Sequence, residues 1–162
     1  MKIFQRKTTL NELTISEPLN CAKNYYKDWL WLISESDLDN AFLINRFGFM
    51  FFVGGDNKVK YLDIMGGSIR QLDYSKNDFL KALDEPTEMN LYLFTKMYER
   101  LKKRCGKLKA DQIYALEVPL IVGGSISETN FSVSSLPSAV SLSGQLLRQL
   151  KDLPDGAQVK IS

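Results

Sequence analysis

Between Ala41 and Leu72 the chain alternates short apolar runs with glycine-containing breaks: "AFLINRFGFMFFVGGDNKVKYLDIMGGSIRQL". Gly48, the Gly-Gly-Asp-Asn at 54–57 and Gly66-Gly67 divide the runs. Breaks of this kind between aromatic and branched segments predict an antiparallel meander. Strands are expected near 41–46, 48–53, 58–64 and 68–72. Phe49-Met-Phe-Phe-Val53 is apolar at every position, which suits a central strand covered on both faces better than one half in water. Helices must supply that cover.

The flanking segments carry helical periodicity. From Asn20, "NCAKNYYKDWLWLI" places Cys21, Tyr25, Trp29 and Leu32 on one stripe. Upstream, Thr8 to Ile15 alternates weakly before Pro18. After the meander a short helix is expected over 76–83, then a break at Asp84-Glu-Pro86 and a longer helix from Glu88 to Cys105. In that helix Phe94, Met97, Tyr98, Leu101 and Cys105 recur at spacings of three and four, and Gly106 stops it. "QIYALEVPLIVGG" is β-like, and Pro119 restricts it to an edge, a bulge or an irregular extended segment. Pro137 opens a last helix with Ala139, Leu142, Leu146, Leu150 and Leu153 at helical spacing. Asp155-Gly156 then turns the chain before a short Gln-Val-Lys-Ile. This order of elements describes an α+β fold: an antiparallel meander sheet of about four to six strands, covered by helices, in a single domain over residues 1–162.

Composition narrows the class. An apolar fraction of 44% with 25% charged residues belongs to a folded globular chain. No stretch approaches the roughly 18 apolar residues of a membrane helix. The basic Met1 to Lys7 is not followed by the apolar core of a signal peptide, so a cytoplasmic location is expected. Cys21 and Cys105 form no CxxC pair, which points to neither a disulfide framework nor a zinc site.

The chain contains no histidine. That removes the commonest general base, the Ser-His-Asp and Cys-His arrangements and the commonest metal ligand. Carboxylates remain. Glu35, Asp37 and Asp39 in "SESDLDN" read as solvated charges on an extended or turning segment rather than as a divalent-cation site. Asp63 interrupts the strand "KVKYLDIM" and is expected to accept hydrogen bonds from the Gly66-Gly67 turn. The six cations from Arg100 to Lys109 face a helix C-terminus favourably, and without interleaved exposed aromatics they do not indicate nucleic-acid binding. Gly-Gly-Ser-Ile occurs twice, at 66–69 and 123–126, but neither copy satisfies GxxxxGK[ST] or GxGxxG. The first reads as a strand turn and the second as the end of an extended core segment. No cofactor is expected.

Taken together, "FFVGGDNKVKYLDIMGGSIRQLDYSKNDFLKAL", the long helix after it and "QIYALEVPLIVGGSISETNFSVSSL" resemble the C-terminal domain family of type VI secretion immunity proteins, over about residues 25–150. Tyr114, Pro119, either Leu120 or Val122, Gly123, Gly124, Asn130 and Phe131 fit the family's later motif. Trp29, Trp31 and Asn45-Arg-Phe-Gly48 fit its earlier elements. Phe49 stands where the family commonly has an acid, and Ala115 where it tends to have glycine. The resemblance implies a non-enzymatic cytoplasmic protein that binds a cognate toxic effector, a nuclease being one candidate, and blocks it stoichiometrically. A nuclease groove is generally basic, so Glu35, Asp37, Asp39, Asp56, Asp73, Asp78 and Asp84 are the candidate partner-binding residues. The alternative is a non-catalytic small-molecule or peptide module with its site where the sheet meets the Gly123-Gly124 loop. An enzyme working with carboxylates alone is the remaining class.

Overall fold

A computed structural model describes residues 6–158. Four strands, β1 (Ala41–Ile44), β2 (Met50–Val53), β3 (Val59–Asp63) and β4 (Ser68–Gln71), form an antiparallel meander in the order β1-β2-β3-β4. Met50, Phe51 and Phe52 of β2 are all buried, as their unbroken apolar pattern requires. Side chains alternate between the two faces of a strand. On one face Phe51 pairs with Tyr61 and stacks at 5.2 Å on Phe79 of α4 (Lys76–Ala82). On the other, Met50, Leu62 and Ile69 stand in one cross-strand row.

A second antiparallel pair, β5 (Gln112–Leu116) and β6 (Phe131–Ser135), is separate from the meander. The Tyr114 N–H of β5 donates to Arg46 O in the β1–β2 turn at 2.9 Å. Arg46 itself is buried, and its guanidinium is held without a carboxylate. Nη1 donates to the carbonyls of Lys109, Ala110 and Gln112, Nε to Glu12 O, and Nη2 to the Ser16 hydroxyl. One side chain thus joins the N-terminal segment, the meander and the second ribbon, and burial lowers its pKa from the ordinary guanidinium value.

The helices depart from the sequence expectation at five places, each with a local reason. Thr8 to Ile15 contains a short helix, α1 (Leu10–Leu13), closed by a reciprocal Thr9–Glu12 cap. The helix expected from Asn20 is α2 (Leu19–Ala22) followed by a 3-10 segment, Lys23–Trp29. Winding at roughly three residues per turn puts Tyr26 and Trp29 on one face. The buried row is therefore Ala22, Tyr26, Trp29 and Ile33, while Cys21 is exposed and Tyr25 and Leu32 are half-buried. "SESDLDN" is helical too, as α3 (Glu35–Asp39), because Ser34 and Asp37 cap each other.

The helix expected from Glu88 to Cys105 is two helices, α5 (Pro86–Leu93) and α6 (Thr95–Cys105). Phe94 between them has left-handed backbone, φ 56° and ψ 46°. Such a conformation costs a bulky residue about 1–3 kcal/mol. The break directs the Phe94 ring edge-on against Phe47 and Phe49, with centroids at 5.3 and 5.2 Å. Asn45 Nδ2 donates to Tyr92 O and Asn90 Oδ1 accepts from Lys96 N, so the interrupted backbone is satisfied.

The last helix, α7 (Leu136–Leu150), is capped by Ser135 and has Pro137 in its first turn. Its buried residues are Leu136, Val140, Gly144, Leu147 and Leu150, not the expected stripe through Ala139, Leu142, Leu146, Leu150 and Leu153. Leu142 is 68% exposed and Leu153 is also on the surface. Gly144 explains the rotation. A Cβ there would stand 2.9 Å from both Asp28 O and Trp29 Nε1, so this face approaches the 3-10 segment closely. Trp29 Nε1 donates to Val140 O and Trp31 Nε1 to Gly144 O across the contact. Of the expected terminal Gln-Val-Lys-Ile, Val159 to Ile161 lie outside the described residues, as do Met1 to Gln5 of the basic N-terminus.

Candidate protein-docking surface

The connection from β5 to β6 is a closed loop organised by one side chain. Glu117 N donates to Asn130 O at its neck. Asn130 Oδ1 accepts from Val118 N, and Nδ2 donates to Val118 O and Ser125 O, all at 2.8–2.9 Å. Inside this frame Pro119 leads into a 3-10 turn, Leu120–Val122, ended by Gly123 at φ 97°. Gly124 N donates to Pro119 O, and a Cβ on Gly124 would overlap Val118 O. The two glycines are therefore required by a left-handed turn and by a close backbone approach. The extended core segment expected through Leu120 to Val122 is not formed: the strand ends at Leu116 and the turn lies on the surface.

Val118, Ile121, Val122 and Ile126 are exposed on this loop, Ile126 at 62%. Leu142 of α7 and Leu153 just beyond it are exposed as well. Beside the loop lies a groove of about 330 Å³ between α7 and the β5–β6 ribbon. Ala115, Ser132, Ser134 and Ala139 contribute small side chains to its lining, and Leu116, Pro119, Leu142 and Leu146 larger ones. Ile121 and Val122 also line a second open groove together with Leu150 at the end of α7 and Leu153 beyond it. Sequence reasoning put the alternative ligand site where the sheet meets the Gly123-Gly124 loop, next to this groove, but missed the exposed apolar loop because "PLIV" normally reads as core. The available signal was the polar Gly-Gly-Ser-Ile-Ser-Glu-Thr-Asn that follows it.

Six of the seven acidic candidates lie on segments that meet at one end of the meander. Val53 N donates to Asn40 O, and Val59 N to Tyr74 O, so the end of α3, the β2–β3 turn and the chain after β4 are neighbours. Glu35, Asp37 and Asp39 are on α3, Asp56 is in the turn, Asp73 follows β4, and Asp78 lies in the first turn of α4. Most also have local tasks. Asp37 caps Ser34 N, Asp39 meets Lys23 at 3.3 Å, Asp56 accepts from Lys58 N, and Asp73 meets Lys58 at 2.8 Å. The Lys58 ammonium holds the Asp73 pKa below its ordinary value, by hydrogen bond and then by charge. Asp84 stands apart, in an open groove with Arg6, Lys7, Lys102 and Lys103.

Asp63 accepts from the N–H groups of Met65 and Gly66 at 2.9 Å each, so its carboxylate completes the β3–β4 turn. Among the described residues no three His, Cys, Asp or Glu side chains gather as metal ligands would. No described helix is long and apolar enough to cross a membrane.

The arrangement is a small α+β domain in which six of the eight exposed large apolar side chains among the described residues lie on one hydrogen-bonded loop and on or just beyond the neighbouring helix. Residues 73–147, somewhat under half the chain, match the family model described as T6SS immunity protein Tdi1, C-terminal, and the chain resembles that family. The match takes in α4 to α6, the β5–β6 ribbon with its whole loop, and most of α7. The crystal structure of Atu4351 from Agrobacterium tumefaciens shares the fold. It has a TM-score of 0.58 and 17% sequence identity over 84% of this chain and 68% of that chain. No curated protein matches the chain.

Proposed function

We propose that this protein is an immunity-type inhibitor that binds a cognate toxic effector in the cytoplasm and neutralises it by stoichiometric occlusion, without catalysis. The observation that carries this reading is the match to the immunity family over the segment that holds the exposed apolar loop. Apolar anchors in and beside such a loop would supply most of the binding energy. If the effector is a nuclease, Glu35, Asp37, Asp39, Asp56, Asp73 and Asp78 form the acidic end that would face its basic groove, with Asp84 contributing from a separate position. These charges would set encounter rate and choice of partner more than affinity.

The test is co-expression with the product of the neighbouring effector gene. Rescue from toxicity together with a one-to-one complex is expected. Toxicity undiminished by the protein, with no co-purification, would sink the proposal. Charge reversal of the six grouped acids should slow association, and unchanged association would remove them from the interface. The groove beside α7 favours a second reading, a non-catalytic module for an apolar small molecule or peptide. Thermal stabilisation by a metabolite or peptide panel, lost in Leu142→Asp, would support it.

A further inference from the structure

β4 is an outer strand of the meander, paired with β3 alone. Its register fixes which backbone groups face outward. Asp63 pairs with Ser68, Tyr61 with Arg70, and Leu72 N donates to Val59 O. In an antiparallel ladder hydrogen-bonded and non-hydrogen-bonded pairs alternate. Ser68, Arg70 and Leu72 therefore bond inward to β3. The N–H and C=O groups of Ile69 and Gln71 point away from the sheet, about 7 Å apart along the strand. Neither residue makes a backbone hydrogen bond beyond the meander. Edge strands are blunted by short length, charged side chains, proline, a bulge or a covering element, and β4 carries the first two, with four residues and Arg70 among them. β4 contains no proline and pairs with β3 in unbroken register.

Arg70 decides what can occupy this edge. A second copy pairing antiparallel with its Gln71 opposite Ile69 would place the two Arg70 side chains directly opposite each other, about 4.5 Å apart at Cα, where like charges are destabilising. Arg70 is exposed and has no ion pair among the described residues. That self-pairing register is thus unfavourable, and a strand with an acidic residue at the facing position complements the edge. We infer that β4 accepts an extended segment of the partner protein as a fifth strand, bonded to Ile69 and Gln71, with an acidic side chain of that segment opposite Arg70. This inference rests on the toxin-binding reading above, and names the backbone through which that partner is held.

The test uses the isotope-labelled full chain, with and without the inactivated product of the neighbouring effector gene. In the free protein the Ile69 and Gln71 amides should exchange with solvent far faster than those of Arg70 and Leu72. In the complex they should slow by at least a hundredfold. Arg70→Glu should weaken the complex at least tenfold while leaving the melting temperature unchanged, and Arg70→Lys should retain most of the affinity. A complex that forms with Ile69 and Gln71 still exchanging freely, or that tolerates Arg70→Glu, overturns the inference and leaves the inhibitor reading intact. Absence of any complex defeats both.

Discussion

Replacing Gly144 by alanine sets helix propensity against packing, and the structure gives the sign. In an exposed helix interior the change would stabilise by about 1 kcal/mol. At this position the new methyl would stand 2.9 Å from Asp28 O and Trp29 Nε1 and 3.0 Å from Trp29 Cδ1. These contacts are about 0.4–0.5 Å tighter than ordinary van der Waals approach, and two of the atoms belong to a fully buried indole. Relief requires α7 to back away from the 3-10 segment, which strains the bonds from Trp29 to Val140 and from Trp31 to Gly144. Overpacking costs about 1–3 kcal/mol, and each weakened hydrogen bond forfeits up to about 1 kcal/mol. After the propensity gain the net loss is about 2 kcal/mol, which for a chain of this size lowers the melting temperature by roughly 4–8 °C. Calorimetry on Gly144→Ala, with the exposed Leu142→Ala as reference, measures it. A Gly144→Ala protein as stable as the wild type would refute the close approach of α7.

The remaining expectations concern the clasp, the loop and pH. Arg46→Met keeps the buried stem but removes every donor to Lys109, Ala110, Gln112, Glu12 and Ser16, and should lower stability by about 3–5 kcal/mol in urea titration. Asn130→Ala unties Val118 and Ser125; the Val118 amide should exchange at least tenfold faster, and protease cleavage within 118–126 should appear at about 1–3 kcal/mol of lost stability. The Glu12 pKa is lowered, chiefly by the Thr9 N–H and further by Lys102. A carboxylate with a depressed folded pKa contributes stability above its unfolded value, near 4.3, and loses it as pH falls through the folded value. The melting temperature of the wild type should therefore fall more steeply below about pH 4.5 than that of Glu12→Gln, and parallel curves would contradict this.

The meander was legible because its signals are local. Glycine-containing turns and an all-apolar Phe49 to Val53 specify strand number and the buried position of β2 without long-range information. The longer helices were legible in existence but not in orientation, whereas the short α1 and α3, which rest on reciprocal caps, were not expected as helices. Gly144 counts as a gap in an apolar stripe, yet it is the point of closest approach, so the buried face of α7 is displaced from the pattern of leucines. The break at Phe94 has no local breaker residue. It follows from what Phe47 and Phe49 offer the ring across the fold. At the candidate site, chain order revealed the turn residues Pro119, Gly123, Gly124 and Asn130 but not that Leu120 to Val122 would be outside. Sheet edges are likewise invisible in sequence, since strand order decides which backbone groups remain unpaired.

The Asn130 frame has an evolutionary consequence. The hydrogen bonds that frame the loop run from Asn130 to main-chain atoms or between main-chain atoms, and the exposed side chains of Val118, Ile121, Val122 and Ile126 take no part in them. Substituting these four positions therefore leaves the scaffold's own stability almost untouched. If the loop is the surface that meets the proposed partner, its four apolar positions can be exchanged one at a time without passing through unfolded intermediates, while Pro119, Gly123, Gly124 and Asn130 keep its shape.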